Sequence, residues 1–169
     1  MTKDEIGTLI ALTAANFPNT QERDLRPTLN LWKEMLSDMP FDVAKAAVIK
    51  VLSTARFWPT VAEIREAATH LTQPHIMSSA EAWGLFERSN DRYGYYRPEE
   101  GMNMLNPLIR QTVRSMGGYR ELCSSENVGV TRGQFMKIYE QLAAREKEMA
   151  VLPASVRELI DGTVKLLPQ

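Results

Sequence analysis

Apolar residues recur along this chain with the spacing of helical stripes, and polar residues fill the positions between them. Ile6, Leu9, Ile10, Thr13 and Phe17 follow the 3.6-residue period, with Thr2 and Glu5 forming a capping box ahead of them. That helix should end near Asn16, because Pro18 biases Phe17 away from helical angles and Asn19 supplies turn chemistry. A second helix is predicted from about Glu22, with Leu25, Leu29, Trp32 and Leu36 on one face and Arg23, Lys33, Glu34 and Asp38 over the rest. Pro27 falls in its first turn or two, and Pro40 stops it. The third helix carries Ala44, Ala47, Val48, Val51 and Leu52 inward and Lys45 and Lys50 outward. Thr60 and Glu63 make a second capping box behind Phe57 and Trp58, which are placed to staple the loop onto a fourth helix with Val61, Ile64, Ala68 and Leu71 on its apolar face.

Between residues 72 and 79 proline and polar residues interrupt the helical period, and Ser78 with Glu81 restarts it. A fifth helix is expected from about Ser79 toward Asn90, burying Ala82, Trp83 and Phe86; the glycine and proline of 93–98 forbid its regular continuation. Asn106-Pro107 opens a shorter helix with Leu108, Ile109, Val113 and Met116, ended by Gly117-Gly118, and Tyr119 to Cys123 adds one turn. Thr131 with Gln134 reads as another capping box, opening a helix with Phe135, Ile138, Tyr139, Leu142 and Met149 on one stripe. A short closing helix is predicted around Ser155 to Ile160, ended by Gly162. No segment reads as a strand; Val128-Gly129-Val130 is too short for a sheet.

The expectation is therefore an all-α protein: a small amino-terminal four-helix bundle over residues 1–72, a connector at 73–79, a second helical region over 80–161 and a tail at 162–169. A length of 169 residues accommodates two such units. No apolar run reaches the roughly 18 to 20 residues that cross a bilayer, and the first ten residues lack the plan of a secretory signal, so no membrane contact and a cytoplasmic location are expected. One cysteine, Cys123, excludes an internal disulfide framework. His70 and His75, five apart with Pro74 between, do not share a helical face as ligands four apart would, and no metal is expected.

Formal net charge is -1, with 8 basic and 9 acidic residues before Ser79 and 12 of each after it. Neither half carries the basic surface of a non-specific phosphate binder, so any nucleic-acid contact would be local. No glycine-rich loop ends in Lys followed by Ser or Thr, which removes an ATPase reading and leaves no cofactor expected. Glu99-Glu100, beside Pro98 and Gly101, reads as a solvated turn rather than a catalytic pair. The chain is expected not to be an enzyme.

Arg88, Arg92, Tyr93, Tyr95, Tyr96 and Arg97 form the one cluster with chemical promise. Three readings stay open: packing between helices with the arginines solvated or paired to Glu87 and Asp91, a protein interface, and a stacking platform for single-stranded DNA. In the DNA reading, a replisome-organising adaptor would add Arg110 and Arg114. Phe135, Tyr139 and Leu142 likewise read either as core or as a groove-filling helix face.

The order Phe17-Pro18-Asn19, Trp32, Leu36, Pro40-Phe41 and Phe57-Trp58-Pro59-Thr60-Val61-Ala62-Glu63-Ile64 resembles the amino-terminal domain of phage replicative-helicase loader/inhibitor proteins, over about the first 70 residues. The resemblance implies a non-catalytic phage or prophage DNA-replication protein in the host cytoplasm. Such a protein binds the replicative helicase hexamer, inhibits it and delivers it to an origin complex, with an origin-binding initiator or a single-strand-binding protein as further partners. The family's amino-terminal domain is followed by a mobile region that contributes to helicase contact. Here the second half is patterned to fold, and Arg88, Arg92, Tyr93, Tyr95, Tyr96, Arg97, Phe135, Tyr139 and Leu142 are its candidate contact residues.

Overall fold

A computed structural model describes residues 1–17, 24–72 and 76–164, and among these residues it contains ten helices and no strand. The all-α class expected from the periodicity is the one observed. Two compact units are present, one formed by Met1–Pro74 with Met149–Gln169 and the other by His75–Glu148.

The first unit contains α1 (Lys3–Asn16), α2 (Arg26–Leu36), α3 (Phe41–Leu52), α4 (Val61–Thr72) and α10 (Ala154–Val164). Both halves of the first capping box form: the Thr2 amide donates to Glu5 Oε2 at 2.7 Å and the Glu5 amide to Thr2 Oγ1 at 3.3 Å. The Thr60 and Glu63 pair does the same at α4. Glu22, the expected start of α2, lies outside the described residues; the helix is seen from Arg26, with Pro27 in its first turn, where a missing N–H loses no helical bond. Ile6, Leu9, Ile10, Trp32, Leu36, Ala44, Ala47, Val48 and Ile64 are buried together, and the alanines let α3 pack closely on α4. Trp58 packs on Trp32 and Phe17 at centroid distances of 6.3 and 6.1 Å. Phe57 is 83 % exposed, so the aromatic staple is Trp58 alone; Leu71 also faces outward instead of joining the apolar face of α4.

One buried charge organises this unit. Arg65, only 5 % exposed, donates to Asp38 Oδ1 and Oδ2 at 2.7 and 3.0 Å, to the Met35 carbonyl at 2.7 Å, to the Leu152 carbonyl at 2.8 Å and to the Val151 carbonyl. These bonds use all five guanidinium N–H groups. Met35 lies in the last turn of α2, where carbonyls have no partner within the helix, so the arginine satisfies an orphan acceptor while it neutralises Asp38. Asp38 Oδ2 also accepts from the Ala154 amide at 3.0 Å, capping the start of α10, and Arg157 stands 3.8 Å away. Residues 149–169 thus group with the first unit, whereas the periodicity alone assigned 80–161 to the second. α10 itself starts at Ala154 and runs through Gly162, longer at both ends than expected.

The second unit contains α5 (Ser79–Tyr93), α6 (Pro98–Met104), α7 (Pro107–Ser115), α8 (Tyr119–Cys123) and most of α9 (Val128–Val151). Trp83, Phe86, Ile109, Val113, Tyr119, Leu122, Phe135 and Tyr139 make its core. Two elements differ from expectation. Proline at 98 opens α6 instead of ending helical structure, since it sits in the first turn. α9 begins at Val128, because the Asn127 side chain accepts from the Val130 amide at 3.2 Å and takes the cap upstream of Thr131. The Thr131 hydroxyl instead donates to the Asn127 carbonyl at 3.1 Å.

α6 is held against α8 by a close approach at Gly101. A Cβ there would meet Tyr119 Cζ at 2.3 Å, and the Tyr119 hydroxyl, the Ser89 hydroxyl and the Gly101 carbonyl form a buried chain at 2.9 and 2.8 Å. Burial raises the Tyr119 phenol above its ordinary range, so it stays protonated at neutral pH.

Two sets of variants test these contacts. Gly101→Ala should cost about 1–3 kcal/mol by overpacking and Tyr119→Phe about 1 kcal/mol by loss of one hydrogen bond, both read from chemical denaturation. In the first unit, Arg65 holds the Asp38 carboxyl below its usual range, against the opposing effect of burial. A carboxylate depressed on folding contributes stability that is complete above its unfolded pKa of about 4 and is lost as pH falls through the folded value. Unfolding free energy should therefore drop below about pH 4, and Asp38→Asn should weaken the protein at pH 7 while flattening that acid dependence.

Candidate functional site

The sequence-predicted Arg and Tyr cluster assembles where α5 ends. Gly94, at φ 58°, stops the helix and turns the chain, a conformation that side chains other than glycine rarely adopt. Arg97 then folds back, donating to the Arg92 carbonyl at 2.8 Å, so its cation meets the negative end of α5. Its guanidinium lies 5.3 Å from the Tyr93 ring centroid, and that of Arg92 lies 5.5 Å from the same ring. Tyr95 and Tyr96 meet edge to face at 5.6 Å. Tyr95 is 47 % and Tyr96 90 % exposed, so neither ring serves the core.

The cluster has a member that the linear spacing hides. Arg120, on α8, places its guanidinium 5.7 Å from the Tyr95 ring. It lies 23 residues beyond Arg97, and only the fold of α6 to α8 carries it there; the glycine-ended helix at Gly117-Gly118 is the one local sign of a chain reversal. Arg114 and Arg120 line an open groove with Glu99 and Tyr119. Arg92, Arg97 and Arg120 form no ion pair with a carboxylate among the described residues, and the expected pairing of Arg88 or Arg92 with Glu87 or Asp91 is not seen there. Arg88 is exposed on α5. Arg110 is half-buried and donates to the Leu105 carbonyl at 2.9 Å, which commits it to the fold.

The other candidate surface lies inside. Phe135 and Tyr139 are 0 % and 1 % exposed; Phe135 packs edge on to Trp83 at 5.3 Å, and the Tyr139 hydroxyl donates to the Met77 carbonyl at 3.1 Å. Leu142 is half-buried beside them on α9. The two rings are therefore core, and the groove-filling reading of that face does not fit this fold.

Burial pushes the Cys123 thiol up, away from the thiolate that nucleophilic chemistry uses. Among the described residues no group of three or more His, Cys, Asp or Glu is placed to hold a metal ion, and no helix is long and apolar enough to cross a membrane.

The features that decide the family lie in the first unit: Trp32 and Trp58 in contact, Phe41 packed on the same core, and the Thr60 and Glu63 box opening α4. Residues 1–65 match the family model of the phage helicase-loader/inhibitor N-terminal domain. This is the family that the residue order resembled, and its members are non-catalytic helicase-associated proteins. No curated protein and no solved structure matches the chain. The loader-domain match ends at Arg65, so the exposed Arg and Tyr cluster lies beyond it.

Proposed function

We propose that this chain is a phage DNA-replication protein that binds a replicative helicase hexamer, restrains it and delivers it to an origin complex, without chemistry of its own. The loader-domain match over residues 1–65 carries this reading. The proposed contact surface is the turn that follows α5: Arg88, Arg92, Tyr93, Tyr95, Tyr96 and Arg97, with Arg120 added from α8. Its support is the exposure of Tyr95 and Tyr96 beside guanidinium groups free of carboxylate partners among the described residues, the side-chain types that dominate protein interfaces.

Restraint of this kind is a matter of differential binding. A loader shifts a helicase between states only by the difference in its affinity for them, and a shift of ~100-fold requires about 2.8 kcal/mol of that difference. One or two well-placed aromatic or arginine anchors supply energies of this size. An origin-bound initiator or a single-strand-binding protein would then release the helicase by competing for the same contact or by favouring the other state.

The same cluster supports a second reading, a replisome-organising adaptor on single-stranded DNA, because exposed rings flanked by guanidinium groups stack on bases and hold phosphates. Binding assays with the full-length chain separate the two. Tyr96→Ala combined with Arg97→Ala should weaken helicase binding by about tenfold or more and leave the melting temperature nearly unchanged. Unaltered helicase affinity would remove this surface. A labelled oligonucleotide whose binding is strong at low salt, falls steeply with added salt and is lost in the same variant would select the DNA reading.

A further inference from the structure

A second site lies in the same unit, on a different face of α5 from Arg88 and Arg92. Trp83, Phe86, Leu122 and Val128 line a pocket of 420 Å³, and Glu87 and Asp91 line it too. Trp83, Glu87 and Asp91 are spaced four residues apart, which puts them on one stripe of α5. Two observations mark this pocket as unfinished. The Trp83 indole Nε1, fully buried, has no hydrogen-bond partner, although buried donors are satisfied in the great majority of cases. Glu87 and Asp91, like charges one turn apart near the negative end of a helix, form no ion pair among the described residues. The Ser125 and Thr131 hydroxyls at the same pocket bond each other, which leaves the indole and the two carboxylates to face whatever enters.

We propose that this pocket receives an arginine side chain from a protein partner. The two carboxylates supply the charge a guanidinium needs, and its planar, weakly hydrated fork suits a half-apolar site better than the compact ammonium of lysine. Val128, exposed at the pocket, offers a surface for the aliphatic stem. A backbone carbonyl flanking the arginine would accept from Trp83 Nε1, completing the donor that folding leaves unpaired. The helicase as source of that arginine rests on the reading given under Proposed function; the pocket's preference for a guanidinium does not.

The test uses full-length protein labelled with nitrogen-15, with the Trp83 indole signal assigned by its absence in Trp83→Phe. Titration with N-acetyl-arginine N-methylamide should move that signal in a saturable way. The citrulline analogue, of the same shape without charge, should not move it. Glu87→Gln with Asp91→Asn should weaken the arginine response at least fivefold while melting no lower than the parent. An unmoved indole, or equal responses to arginine and citrulline, overturns the inference. In a helicase-binding assay the same double variant should bind at least tenfold more weakly than the parent, and equal binding overturns the assignment of this pocket to the helicase contact. If the parent itself does not bind helicase, the functional reading fails and the arginine titration alone judges the pocket.

Discussion

The first unit depends on the need to satisfy carbonyls that helices leave unpaired at their carboxy ends. A single guanidinium does this for Met35, Val151 and Leu152 while it pairs with Asp38, and Asp38 in turn caps the first amide of α10. Burying a charge is unfavourable unless every one of its polar groups finds a partner. Arg65 meets that condition because its five donors diverge in a fixed plane. An ammonium at the same place would carry the charge with three donors and leave two of the acceptors unmet.

Much of this architecture was legible because it is local. The capping boxes at Thr2, Thr60 and Ser78 are written within four residues, and each forms with the expected partner. Apolar periodicity located Ile6, Leu9, Trp32, Leu36, Ala47 and Val48 in the core. What escaped was non-local or a matter of competition. Asn127 displaced Thr131 as the cap of α9, since two residues with capping side chains lay within one turn and sequence spacing does not rank them. Arg65 sits four after Val61 and three before Ala68, inside the apolar stripe of α4, and a charge at that position was a readable sign of a buried pair. Its partners lie 27 and more residues away, and no local pattern names them.

The candidate contact residues divided along the same line. The tyrosines after α5 are adjacent in sequence and remain exposed because a glycine-stopped helix turns them outward, so the cluster was visible from composition alone. Phe135 and Tyr139 share the stripe that a docking helix would use, and periodicity does not distinguish a face buried in its own core from one awaiting a partner. Within unit two, α5 carries arginines and carboxylates on separate stripes, which makes one helix electrostatically two-sided even though the chain as a whole is nearly neutral.

The contact between Gly101 and the Tyr119 ring ties two distant positions to each other. Hydrogen is all that fits at the first while a phenol occupies the second. In a set of related sequences these sites should therefore drift as a pair, with a larger residue at 101 tolerated only where the ring at 119 has shrunk, a covariation that would expose the α6 to α8 packing even in relatives whose other similarity has faded.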